Sequence, residues 1–156
     1  WIAKPEVIAG QAAWVRAGVE KGRVHLFGFR PQYRGWSEAA GLPVGCAFRC
    51  QDYLDNRHPN YAGDVGIGIN PKLAQRVKQA DVLLVIGARL GEMTTGGYTL
   101  VDSPVPQQAL IHVHAGAEEL GRVYRPALAI NSGMAQFVEA IGPAIVDAVG
   151  HDTAYV

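Results

Sequence analysis

The feature that most restricts the fold is a run of five branched apolar residues, Val82–Ile86, between Asp81 and Gly87. An extended segment with apolar side chains on both faces is typical of a β-strand that is buried on both sides. Parallel sheets provide that environment, because the crossover helices that connect their strands cover both faces. The run therefore predicts an α/β fold.

The residues before this run predict a helix. Asn70 and Pro71 supply a cap and a proline suited to the first helical position. The apolar residues that follow, at 73, 74, 77 and 80, recur at the spacing of one helix face and leave a cationic outer face. A helix that leads directly into a buried strand is half of a βαβ unit.

The rest of the chain continues the alternation of short strands and helices. Further strands are predicted at 6–9, 23–27, 42–48, 109–114 and 127–130, and helical segments at 36–40, 117–123, 133–141 (capped by Ser132) and 143–149. The pattern predicts a three-layer Rossmann-like domain with a mostly parallel sheet. Ligands of such sheets bind beyond the carboxyl ends of the strands, so we expect a site in the loops after Phe48, Gly87 and His114.

Length and charge limit the class of protein. The 156 residues predict one domain over 1–150 with a tail at 151–156. The 14 basic residues balance 14 acidic ones, which argues against a nucleic-acid partner. No apolar stretch is long enough to span a bilayer and no signal peptide is recognisable, so we expect no membrane partner. The two cysteines imply no disulfide framework, which suits a cytoplasmic location. The start at Trp1 rather than Met predicts a fragment or a processed product.

Cysteine and histidine pairs offer no metal site in the sequence. Cys46 and Cys50 lie four apart without a second ligand pair, which favours ordinary buried thiols over a zinc or redox site. His112 and His114 would share one face of a strand, but no third ligand accompanies them. We expect strand-end histidines near a polar loop, and no metal ligands.

Two glycine-containing turns are the candidate binding residues. Gly66, Ile67 and Gly68 resemble the start of a dinucleotide fingerprint, but the third glycine is missing and no predicted strand comes directly before them. A glycine turn before a helix can present backbone N–H groups to an anion, or it can simply be a tight turn packed under a neighbouring domain.

The second turn is Gly87, Ala88 and Arg89, which follows the buried strand. The Arg89 guanidinium suits a diphosphate or a carboxylate, or alternatively an interdomain salt bridge. A Rossmann site would also place an acid at a strand end to hold ribose hydroxyls. None follows His114, and this argues against a third reading, half of a Rossmann-type dehydrogenase.

Several segments together resemble the central domain of thiamine-diphosphate-dependent enzymes of the acetolactate synthase type. The similarity covers 42–141 and extends to 4–9. The segments that carry it, in order, are Gly63–Gly66, Ala80–Arg89, Thr95–Gly96, Ile111–Val113 and Glu119–Arg122. No single motif is diagnostic, but the ordered combination is specific.

The resemblance implies a six-stranded parallel sheet. It also implies a place between a pyrimidine-binding domain and a diphosphate-binding domain of one parent chain, and a parent enzyme that is a homo-oligomer. Those outer domains hold thiamine diphosphate and Mg²⁺ and carry out the decarboxylation and carboligation of 2-oxo acids. This chain lacks the G-D-G segment of the diphosphate-binding domain. The resemblance therefore implies no catalytic residues here and a scaffold role. The polar 49–64 loop would be an interdomain surface or line the substrate entrance, the alternative being a solvated loop.

Family members that carry FAD or an ADP-like nucleotide hold it on this middle domain, at segments matching Gly66–Gly68 and Gly87–Arg89. Those relatives have H-I-D-I-D where this sequence reads His112–Gly116, an arginine where Met93 stands and a histidine where Gly68 stands. Each lost charged hydrogen bond weakens binding by about 1.5–3 kcal/mol. The sequence thus favours a noncatalytic central domain with a degenerate nucleotide site over the alternative of a free-standing FAD- or ADP-binding module.

Overall fold

A computed structural model of the chain describes residues 24–27 and 42–141. Several predicted elements lie outside these residues: the strand at 6–9, the helical segments at 36–40 and 143–149, and the tail at 151–156. The extent of the predicted 1–150 domain therefore stays a prediction.

The described residues form one six-stranded sheet in which every neighbouring pair is parallel. Its strands are β1 (Val24–Phe27), β2 (Val44–Ala47), β3 (Tyr61–Val65), β4 (Val82–Ile86), β5 (Ala109–His114) and β6 (Leu128–Asn131). Their spatial order is β3-β2-β1-β4-β5-β6, so the direction of strand addition reverses between β1 and β4. This arrangement confirms the predicted Rossmann-like class.

The strand β4 lies between β1 and β5 and is buried on both faces, as its sequence predicted. All five of its residues are buried, and their side chains alternate between two hydrophobic clusters, one on each face. Leu84 and Ile86 pack on one face, whereas Leu83 and Val85 pack on the other. Burial of each such side chain contributes about 1.5–3 kcal/mol to folding, which explains the absence of polar residues from the run.

Helices cover both faces, which confirms the predicted three layers. The first, α1 (Pro71–Lys78), packs Leu73 and Val77 on the face of Leu83. Its N-terminus is capped as predicted, since the Asn70 side chain accepts a 2.9 Å hydrogen bond from the Lys72 N–H. The second, α2, is helical from 134 to the last described residue, 141, and packs on the opposite face.

Three local predictions differ from the structure. The helix predicted at 117–123 is only a 3-10 turn, Ala117–Glu119. Ser132 does not cap α2, because its hydroxyl donates to the Gly133 carbonyl instead of accepting a backbone N–H. Most importantly, part of the predicted 49–64 loop is the edge strand β3, and a 3-10 turn forms at Gln51–Tyr53.

Candidate functional site

The turn at Gly66–Gly68 directly follows a strand, contrary to the prediction. The strand β3 ends at Val65, the Ile69 N–H donates to the Gly66 carbonyl at 3.2 Å, and α1 begins at Pro71. A strand, a glycine turn and a helix are therefore consecutive, which is the context that a phosphate-binding turn requires. The objection that no strand precedes these glycines was wrong.

The two glycines of this turn have different environments. Gly66 has a φ of +145°, and a Cβ atom there would lie 3.0 Å from the Met93 carbonyl oxygen and 3.1 Å from Phe48 Cβ. Protein atoms therefore fill the space beside Gly66. Gly68 has a φ of +76° with no atom within 4 Å of a Cβ position, and the intervening Ile67 side chain is 63% exposed. Only the Gly68 side of the turn is open to a ligand.

The second turn is fixed at its backbone. Gly87 has a φ of +70°, and its N–H extends the sheet by donating to the Val113 carbonyl at 2.8 Å. Ala88 is buried, and His112 Nε2 lies 2.9 Å from its carbonyl oxygen. A carbonyl oxygen only accepts, so Nε2 must carry the proton. Burial lowers the pKa of His112, with the hydrogen bond to Ala88 opposing the shift, and keeps the ring neutral.

The Arg89 side chain is paired within the protein. Arg89 Nη2 donates to Glu119 Oε1 at 2.5 Å, and Arg122 Nη1 donates to the same oxygen at 2.9 Å. The Glu119 side chain is 10% exposed, against 65% and 60% for the two arginines. The hydrogen bond from Arg89 and the positive charges of both arginines lower the pKa of Glu119, which therefore stays ionised.

A cavity of about 220 Å³ lies beside this ion pair. Its polar lining comprises Arg89, Tyr98, His112, Glu119, Arg122 and Tyr124. The Tyr124 hydroxyl is buried and makes no hydrogen bond within the described part of the chain. Burial also raises the pKa of Tyr124. The cavity thus combines two arginines that share one carboxylate with neutral hydrogen-bonding groups.

The structure does not bring the predicted binding residues to one cavity. Arg89 lines the cavity on the β5 side, whereas Gly66–Gly68 follow β3, beyond the intervening β1 and β2. Three strand spacings correspond to roughly 14 Å along the sheet. A nucleotide role for Gly66, Ile67, Gly68, Gly87, Ala88 and Arg89 stays a prediction.

Of the polar residues that line the cavity, Arg89 alone was predicted as a site residue, and Glu119 and Tyr124 are two of those that were missed. Glu119 belongs to a segment that carries the family resemblance. It was missed because an acidic residue was expected directly after His114, at the end of the predicted strand. The 3-10 turn at Ala117–Glu119 instead carries the acid back to Arg89, 30 positions earlier in the chain. Tyr124 follows that turn and gave no signal, because a lone tyrosine in a loop has no periodic pattern.

Burial makes the two cysteine thiols less reactive, and the two histidines are hydrogen-bonded to the backbone. Burial raises the pKa of Cys46 to about 11 and also raises that of Cys50, as expected for inert thiols. His112 bonds the Ala88 carbonyl, and the Gly116 N–H donates to His114 Nδ1 at 3.0 Å. Over residues 24–27 and 42–141, no group of three or more His, Cys, Asp or Glu side chains could hold a metal ion.

Comparison with known proteins gives one family match. Residues 19–141 match the family described as "Thiamine pyrophosphate enzyme, central domain". No helix in the described part of the chain has the length and apolar character to cross a bilayer.

Three curated proteins share similar segments. A sulfoacetaldehyde acetyltransferase of Alcaligenes xylosoxydans xylosoxydans is 30% identical over 95 residues, or 61% of this chain and 16% of the relative. The large subunit of acetolactate synthase isozyme 1 of Escherichia coli is 26% identical over 112 residues, or 72% of this chain and 19% of the relative. A pyruvate decarboxylase of Aspergillus fumigatus is 36% identical over 63 residues, or 40% of this chain and 11% of the relative. The matched segment spans less than a fifth of each relative.

Proposed function

The chain belongs to the family of thiamine pyrophosphate enzyme central domains, and from this membership we propose that it is the noncatalytic middle domain of an acetolactate synthase-like enzyme. The parent enzyme decarboxylates a 2-oxo acid and transfers the resulting carbanion to an acceptor. Thiamine diphosphate and Mg²⁺ are held by its pyrimidine-binding and diphosphate-binding domains. The described domain is the scaffold between them.

One observation carries the scaffold role: the charged and polar groups at the carboxyl edge of the sheet are largely bonded to one another. Open parallel sheets bind their ligands at this edge. Here Glu119 accepts hydrogen bonds from both Arg89 and Arg122, and buried His112 donates to the Ala88 carbonyl. The space beside Gly66 is filled by Met93 and Phe48. An edge of this kind supports a packing role more than the binding of a reacting cofactor.

An activity measurement tests the proposal. The 156-residue chain, supplied with pyruvate, thiamine diphosphate and Mg²⁺, is expected to consume no pyruvate above the buffer rate. Turnover that scales with the concentration of the chain would overturn the noncatalytic role. The flanking reading frame is the second test, and we expect an upstream domain with an activating glutamate and a downstream domain with a G-D-G…N segment.

The alternative is a free-standing module that binds FAD or ADP, and one observation favours it. The strand β3, the Gly66–Gly68 turn and α1 are consecutive, and Gly68 faces open space. At micromolar ligand, a module would raise its melting temperature by several degrees, whereas a scaffold would show no shift. Gly68→Ala tests the open side of the turn, and Gly97→Ala is its matched control, since Gly97 has a φ of +68° and a Cβ there also meets no atom within 4 Å.

The proposal extends to assembly and location. The parent enzyme is a homo-oligomer, as the resemblance implies. Its location is the cytoplasm, and the free thiols of Cys46 and Cys50 are compatible with a reducing compartment. Size-exclusion chromatography with light scattering on the parent polypeptide tests the oligomer. A monomeric, active parent would contradict it.

A further inference from the structure

The arrangement of Arg89, Glu119 and Arg122 has the form of an occupied anion site. Both guanidinium groups donate to a single atom, Glu119 Oε1. Two arginines that converge on one oxygen form the donor geometry that a phosphate oxygen requires. In this chain the acceptor is a side chain of the protein itself.

The negative charges near the cavity oppose the entry of another anion. Glu118 does not line the cavity, but its field acts on Arg89 and adds to that of Glu119. The buried His112 ring contributes no charge, because burial lowers its pKa. An incoming phosphate would have to displace the least exposed member of the cluster, Glu119, from its hydrogen bonds with both arginines.

We infer that Glu119 is a resident counter-anion of Arg89 and Arg122 that bars phosphate-bearing ligands from this cavity. The resemblance assigns Arg89 to a nucleotide, and the contacts of Arg89 do not fit that assignment. Glu119 thereby determines the specificity of the cavity: removal of its charge creates an anion site that the wild-type chain lacks. The inference holds whether or not the chain is part of a larger enzyme.

Titration calorimetry with inorganic pyrophosphate, and separately with ADP, tests the inference on the 156-residue chain. The wild-type chain is expected to show no saturable binding up to about 1 mM. Glu119→Gln keeps the side-chain size but removes the charge, and it is expected to bind pyrophosphate about ten- to a hundredfold more tightly. Glu118→Gln is the matched control, since it removes one carboxylate without freeing either arginine.

The double variant Glu119→Gln/Arg122→Ala is expected to lose the gained binding. The inference is overturned if Glu119→Gln binds no more tightly than Glu118→Gln. It is also overturned if the wild-type chain binds pyrophosphate and Arg122→Ala abolishes that binding. The latter comparison needs no Glu119 variant, so it remains decisive if Glu119→Gln does not fold. Pyruvate turnover by the chain would overturn the proposed function and leave this inference intact.

Discussion

The two glycine turns at the carboxyl edge differ in what their glycines do. Gly66 is required by packing, because the neighbouring loops leave no room for a Cβ atom, whereas Gly68 in the same turn faces open space. In the second turn Gly87 continues the hydrogen bonding of the sheet, and the following residues are held by His112 and Glu119. The comparison teaches that a glycine at a strand end identifies a ligand site only when the space beside it is open and its neighbours are not already bonded.

The sharpest test of this difference is Gly66→Ala. The new methyl group would meet Met93 and Phe48 in a backbone conformation that side chains rarely adopt. Strain and overpacking together are expected to lower the free energy of unfolding by about 2–4 kcal/mol. Urea denaturation measures the loss. A change below that of Gly68→Ala would show that the loops near Gly66 yield easily and that packing does not explain this glycine.

The second turn is tested by His112→Phe. This variant replaces the imidazole with another aromatic ring and leaves the buried Ala88 carbonyl without its hydrogen-bond donor. An unsatisfied buried acceptor costs about 1–3 kcal/mol, again measured by urea denaturation at neutral pH. An unchanged free energy of unfolding would mean that Ala88 finds another donor and that His112 does not fix this turn.

The same residue makes stability depend on pH. Burial lowers the pKa of His112 below its ordinary value of 6.5, so the unfolded chain binds a proton more readily than the folded chain. The free energy of unfolding therefore falls as the pH drops below 6.5, and the fall ends below the folded-state pKa. In His112→Phe this contribution is absent, so the difference between variant and wild type shrinks on acidification. Parallel curves for the two proteins would contradict this assignment.

Much of the fold could be predicted from the sequence, because its signals are local. The run at Val82–Ile86 and the capped, amphipathic helix at Pro71 are each specified by neighbouring residues. The strand β3 was missed because its sequence, Tyr61–Val65, lacks a run of branched apolar residues and contains Asp64 and Gly63, the latter with a φ of +120°. An edge strand has a neighbour on one side only, so it does not need the apolar run that identifies β4.

The site was less predictable than the fold for a related reason. The turn after β4 is visible in the sequence, whereas the Gly66–Gly68 turn follows a strand, β3, that was not predicted. The partner of Arg89 lies 30 positions away, and the contact depends on the β4–β5 crossover and on a 3-10 turn where a longer helix was predicted. No periodic pattern connects Arg89 with Glu119.

A smaller effect is expected at the open glycine. Gly68→Ala introduces no clash, but it places a side chain at a φ of +76°. The expected loss is about 1–2 kcal/mol from backbone strain alone. Gly91→Ala, which is equally open but carries no positive φ, should change the free energy of unfolding by less than about 0.5 kcal/mol. Equal losses at positions 68 and 91 would show that φ does not control the cost.

The smallest differences concern the helix that follows the first turn. Asn70→Ala removes the side-chain acceptor of the Lys72 N–H and is expected to cost about 1 kcal/mol. Ser132→Ala at the start of α2 is the matched control, since that hydroxyl bonds the Gly133 carbonyl and caps no N–H; its expected cost is below about 0.5 kcal/mol. Thermal and urea unfolding of the two variants measure the contrast. If Ser132→Ala costs as much as Asn70→Ala, then Ser132 caps α2 as its sequence predicted, and the contrast drawn between the two helix starts is wrong.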